Sequence, residues 1–165
     1  MKRPVKVGLC ILAVVVAILA CFIRFPESPK LAPPAPWHFT FSEVRAFQLN
    51  WEDEYAMDSI MQDAGLNETR FPANGILLSE SQVESLRRAI LKDDSMGGVI
   101  GMCRYPHHAF VFYSAGGEIV GHYDLCFLCS NAGGDPGDFS TYPDYDALRE
   151  LVINLGMPIA NPDWD

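Results

Sequence analysis

The stretch whose reading decides the fold is His108-Ala-Phe-Val-Phe-Tyr-Ser114, then Ala115-Gly116-Gly117, then Glu118-Ile-Val-Gly-His-Tyr-Asp-Leu-Cys126. Both flanks are rich in β-branched and aromatic residues, which suit a pleated, packed surface. The Ala-Gly-Gly between them supplies the positive φ that a tight turn needs. A β-hairpin is therefore expected over 108–126. Two registers fit it. A two-residue Gly116-Gly117 turn sets His107 opposite Cys126 and Cys103 opposite Ser130, with Phe110, Phe112, Ile119, Tyr123 and Leu125 on one face. A three-residue turn sets Cys103 opposite Cys129 and His108 opposite Asp124, with Ala109, Val111, Tyr113, Ile119, Tyr123 and Leu125 on one face. Hydrophobic alternation does not choose between them.

In both registers three cysteines and a histidine gather at the open end of the hairpin. Cys103-Arg-Tyr-Pro-His107-His108 precedes it and Cys126-Phe-Leu-Cys129 ends it. Zinc ribbons place a pair of ligands at each end of a hairpin so that they converge on one tetrahedral point. The candidate metal set is thus Cys103, His108, Cys126 and Cys129, and the candidate cofactor is zinc. An equally good reading is a Cys103–Cys129 disulfide that staples the hairpin end, since an exported domain meets an oxidising compartment. A third is that the thiols are buried and unmodified, and a fourth is a redox-active Cys126/Cys129 pair. Thioredoxin-type C-x-x-C motifs open a helix whose N-terminus lowers the thiol pKa. Here Ser130-Asn-Ala-Gly-Gly-Asp-Pro136 follows, which does not start one.

The string Cys103-x-x-Pro106-x-His108-Ala-Phe-Val-Phe-Tyr113, followed by Cys126-Phe-x-Cys129, resembles a pattern in small uncharacterised exported or membrane-anchored bacterial proteins. These pair a Cys-x-x-Pro-Arg-His element with a Cys-Phe-x-Cys element across a hairpin. The likeness spans roughly residues 79–130. It implies that His108, rather than His107, is the functional histidine. His107 stands where the pattern has arginine, and no activity comes with the resemblance.

Outward from the hairpin, Ser81 and Glu84 have capping-box spacing, and Val83, Leu86, Ile90 and Leu91 recur at helical spacing. Arg87, Arg88 and Lys92 lie where a helix dipole favours cations. Residues 37–51 read as strand, with Arg45, Phe47, Leu49 and Trp51 on one face and Val44, Ala46 and Gln48 on the other. Residues 53–64 read as a short helix before Gly65. Asn67-Glu-Thr69 is a glycosylation sequon. Downstream, 130–143 reads as a Gly/Pro-rich loop. A last helix is expected over 144–155, with Leu148, Leu151, Val152 and Leu155 as its apolar stripe and Gly156 as its stop. The expected fold is α+β: a small antiparallel sheet with a central hairpin, packed against two or three helices and preceded by one transmembrane helix.

That span is Val7 to Ile23, seventeen residues without a charge. It sits at the short end of what crosses a bilayer. Lys2, Arg3 and Lys6 flank it, which leaves residues 1–6 in the cytoplasm. The alternatives are cleavage, or lipidation at Cys21. All three export the rest of the chain. Residues 24–36 form a proline-rich spacer, and 37–165 form the exported domain. From Glu27 onward eight basic residues stand against twenty-one acidic ones, a net charge of −13. Such a surface repels phosphate backbones, which argues against nucleic acid as a partner.

No nucleophile–base motif, phosphate loop or His-Glu-x-x-His is present. His122 and Asp124 share a strand face, and read as a solvated pair on the sheet's outer side. Asp135, Asp138, Asp144 and Asp146 form an acidic loop without EF-hand spacing. The expected function is a membrane-anchored, extracytoplasmic, non-enzymatic binding or structural module with the Cys/His cluster at its hairpin end. The rival is a thiol-disulfide oxidoreductase using Cys126 and Cys129.

Overall fold

The hairpin forms as β5 (His108–Tyr113) and β6 (Ile119–Cys126). Its register combines both expectations. From His108↔Leu125 to Phe112↔Gly121 the pairing is that of the two-residue turn, whereas Tyr113 pairs with Ile119 across a bulge. Nearest the turn the pairing is therefore that of the three-residue turn, and the extra residue on β6 converts one register into the other.

The computed structural model describes residues 39–91, 105–136, 139 and 142–161. The chain divides into units Met1–Pro33 and Pro34–Asp165, and the described residues belong to the second. The expected N-terminus 1–6, span 7–23 and spacer 24–36 lie outside the described residues, as does Cys103. Among the described residues no helix is long and apolar enough to cross a membrane.

The remaining elements are β1 (Glu43–Gln48), β2 (Met61–Gln62), β3 (Gly65–Leu66), β4 (Phe71–Leu77), α1 (Glu80–Leu91), β7 (Asn131–Asp135) and α2 (Tyr145–Asn154). The fold is α+β. Five antiparallel strands lie in the order β4-β1-β5-β6-β7, and β2-β3 form a separate two-stranded sheet. Val44, Ala46, Phe110, Phe112, Tyr123 and Leu125 pack with Leu86, Ala89 and Ile90 of α1 and with Leu148, Leu151 and Val152 of α2. The opposite face carries Phe47, Leu49, Ala109 and Val111, covered by Ile60, Met61 and Leu66. Both faces of β5 are thus buried. This is why its sequence is a continuous apolar run, and why alternation could not set its register.

Four expectations need correction. Of the expected 37–51 strand, the described residues 39–51 hold β1 at Glu43–Gln48. Residues 53–64 form no helix; a loop runs into β2, because buried side chains capture the backbone polar groups that a helix would pair internally. The 130–143 loop contains β7. A Cβ at Gly134 would strike the His122 carbonyl, so glycine there reflects close strand approach rather than a turn. The capping box uses Ser79 and Gln82, two residues before the expected pair. Ser79 N donates to Gln82 Oε1 at 2.8 Å, and Gln82 N donates to Ser79 Oγ at 3.4 Å. Glu84 instead pairs with Arg87 and Arg88, each at 2.8 Å.

The last helix matches its sequence signals closely. Asp144 caps it by accepting from Ala147 N at 3.0 Å. Gly156, at φ +78°, closes it in a Schellman arrangement: Met157 N donates to Val152 O and Gly156 N to Ile153 O. That closure turns the tail back, burying Met157 and carrying Pro158 to the start of β5.

Candidate functional site

The open end of the hairpin is built around one row across the sheet. Gln48 of β1 is the Cα partner of both Phe71 and His108, and His108 is the partner of Leu125. His108 is fully buried. Its Nε2 lies 2.8 Å from the Pro158 carbonyl oxygen. A carbonyl only accepts, so Nε2 carries the proton and Nδ1 is the bare nitrogen. That Nδ1 is buried, and among the described residues no group hydrogen-bonds it. The ring meets Phe127 at 5.3 Å and Trp51 at 6.3 Å between centroids, both in edge geometry. Burial lowers its pKa to about 4, against a smaller upward push from the Pro158 bond. His108 is therefore neutral at pH 7.

His107 serves the loop that follows β1. Its Nε2 donates to the Glu54 carbonyl at 3.1 Å, and its own carbonyl accepts from Leu49 N at 3.0 Å. Burial depresses its pKa too, opposed by hydrogen bonding to the Glu54 backbone.

The Cys-Phe-Leu-Cys segment is the turn between β6 and β7. Cys126 ends β6 and pairs with Asn131 across a loop of Phe127, Leu128, Cys129 and Ser130. Ser130 takes φ +47° within it. Phe127 folds back onto His108, and the Arg149 guanidinium of α2 sits 5.0 Å from its ring centroid. Cys126 is a free, buried thiol. Cys129 is disulfide-bonded. Of the expected set, His108, Cys126 and Cys129 thus belong to the hairpin end. Cys103 lies outside the described residues. Among the described residues no three His, Cys, Asp or Glu side chains come together to hold a metal. Zinc ligation by Cys129 requires its disulfide to be reduced, because the ligand is the thiolate. His108 Nδ1 has the right form for a ligand, with its other nitrogen fixed on a carbonyl.

Two further expectations are revised. Asp124 is not on a solvated outer face: it is buried, and its Oδ1 accepts from Ile60 N at 3.1 Å. Asp144 of the acidic loop is committed to its helix cap, and Asp138 lies outside the described residues.

The sequon asparagine is the surprise. Asn67 is buried, and its Nδ2 donates to Asn50 Oδ1 at 3.3 Å and to Ser59 O at 3.2 Å. Asn50, at φ +53°, donates from Nδ2 to the carbonyls of Asp58 at 2.7 Å and Pro106 at 3.0 Å. Thr69 Oγ1 accepts from Asn50 N at 2.9 Å. This buried knot ties the loop after β1 to the start of β5, and it explains why residues 53–64 form no helix. The only sequence signal for it was Asn50 and Asn67-x-Thr69, polar residues among apolar ones.

Beside the knot opens a cleft of about 850 Å³, lined by Gln48, Asn50, Trp51, Glu52, Asp53, Ala56, Asp58, Thr69, Arg70, Phe71, Gly156 and Pro158. Two of its wall residues, Trp51 and Pro158, are the groups that His108 holds from behind. Asn161 Nδ2 also donates to Trp51 O at 2.9 Å, so the tail fixes the same wall. The volume falls within the range of small-molecule and side-chain pockets.

No known family, curated protein or solved structure matches this chain.

Proposed function

We propose that this protein is a membrane-tethered, extracytoplasmic binding or structural module without catalytic activity, its hairpin end closed by a Cys103–Cys129 disulfide. The observation that carries the reading is the division between the cysteines. Cys129 is oxidised while Cys126, three residues away, is a free thiol sealed at the end of a strand. An exchanging C-x-x-C pair needs an accessible, acidified thiolate, usually at a helix N-terminus. Here the motif is a strand-to-strand turn. The rest of the site is fitted to holding a surface in shape: a neutral histidine ties the tail to the hairpin, and an asparagine knot ties down the loop.

Reduction of insulin by the full chain tests this reading. No activity above the uncatalysed rate is expected. Turnover that disappears in Cys126→Ser would establish the oxidoreductase instead. The tether is tested separately. A C-terminal alkaline phosphatase fusion should be active and a green fluorescent protein fusion dark; the reverse pattern would place the domain in the cytoplasm.

A further inference from the structure

Gln48 lines the cleft but is only 7% exposed. Among the described residues no group hydrogen-bonds its carboxamide. A side chain so deeply placed normally finds a partner. Its carboxamide is not among the fully buried unpartnered groups, so it meets solvent in the cleft that Gln48 lines, where a ligand can complete its donor and acceptor.

The other lining groups define the ligand. Among the described lining residues, Glu52, Asp53 and Asp58 bring three carboxylates and Arg70 the one cation. That cation is already committed: Arg70 Nη1 donates to the carbonyls of Leu66 at 3.2 Å and Asn67 at 2.9 Å, and Nε to Ala73 O at 3.2 Å. Trp51 and Phe71 supply aromatic surface, Phe71 being 67% exposed at the rim. Aromatic faces with carboxylates around them attract a planar, weakly hydrated cation. A guanidinium also carries several N–H donors, which suit both carboxylates and the Gln48 carbonyl oxygen. The strongly acidic domain would steer such a ligand inward.

We propose that the cleft binds a guanidinium group carried on a short apolar stem, with Trp51 and Phe71 flanking the stem, Glu52 and Asp58 pairing the charge, and Gln48 accepting at the floor. This names the ligand class of the binding module proposed above and rests on that reading. The group comes either from an arginine side chain of a peptide or from a free alkylguanidine.

The test is amide and side-chain NMR of the full chain in a non-ionic detergent. The probes are agmatine, an arginine-containing tripeptide blocked at both ends, and the uncharged butylurea. Saturable shifts of the Trp51 indole and the Gln48 carboxamide are expected with a guanidine and not with butylurea. Tighter binding of the tripeptide than of agmatine assigns a peptide source, and the reverse assigns the free guanidine. Asp58→Asn and Gln48→Leu should each weaken binding at least tenfold while leaving the core amide spectrum in place. Should Gln48→Leu perturb the core, Glu52→Gln at the cleft wall serves in its stead. No saturable shift with either guanidine, an equal response to butylurea, or unchanged affinity in Asp58→Asn and Glu52→Gln would overturn the proposal. Insulin-reducing activity would defeat the non-enzymatic reading without touching these titrations, so the two failures are distinguishable.

Discussion

His108 and Pro158 stand fifty residues apart and are joined by one hydrogen bond of 2.8 Å, from a buried imidazole to a carbonyl of the C-terminal tail. The bond requires a proton on Nε2, and burial keeps the ring neutral, so Nδ1 stays bare. Protonating Nδ1 as well would place a charge among Trp51, Phe127 and the core.

The consequence is a pH dependence of known sign. The folded-state pKa of His108 is lowered to about 4 from its ordinary value of 6.5. Between those values the unfolded chain binds more protons, so this group's stability contribution is full above pH 6.5 and is lost as pH falls toward 4. The loss amounts to roughly 3 kcal/mol at about 1.4 kcal/mol per unit. His107 acts in the same direction. Urea unfolding at pH 7.0 and 4.5 should show a clear fall for the wild type and a distinctly smaller one for His108→Gln. An equal fall in both would show that His108 does not titrate as described.

The helix cap gives a clean contrast between two neighbouring serines. Ser79 Oγ bonds Gln82 N, and replacing such an N-cap by alanine costs about 1 kcal/mol. Ser81 lies inside the first turn and is exposed. Ser79→Ala should lower the unfolding free energy by about 1 kcal/mol, and Ser81→Ala by less than about 0.5 kcal/mol. Equal effects would return the cap to the Ser81–Glu84 pair.

Asn67 is committed to the interior, so its sequon should stay unmodified in the folded protein even in a glycosylating host. Asn67→Ala leaves the Asn50 side chain and the Ser59 carbonyl short of a partner. It should cost about 1–3 kcal/mol, read by urea unfolding. A glycan found at Asn67 by mass spectrometry of the native protein would contradict the buried placement.

The elements that were legible share one property: their signals are local. The hairpin announced itself through strand formers around Ala115-Gly116-Gly117, and α2 through Asp144, its apolar stripe and Gly156. The elements that were missed depend on distant partners. β4 contains Pro72 and Gly75, and Gly75 is required because a Cβ there would meet the Phe47 ring at 2.5 Å. β7 reads as a loop because its glycines answer to the His122 backbone. Residues 53–64 look helical until Asn50 and Asn67 capture their carbonyls. At the site, His108 was singled out through a sequence resemblance. Gln48, by contrast, became visible only once its burial beside the cleft was known.

The cysteines should divide energetically as they do structurally. A Cys103–Cys129 bond closes a loop of about 25 residues and should stabilise by roughly 3 kcal/mol. Cys103→Ala and Cys129→Ala should each lose about that amount, with no further loss in the double variant. Full additivity of the two would mean that they are not bonded to each other.

The division among these cysteines is tested most directly by mapping them in protein exported to an oxidising compartment. Blocking free thiols before and after denaturation, digesting without reductant, and assaying metal on the same sample resolve every arrangement. The expected result is a Cys103–Cys129 linked peptide, Cys126 blocked only after denaturation, and no bound metal. A Cys126–Cys129 link, or stoichiometric zinc with all three thiols released by chelator, would contradict the account.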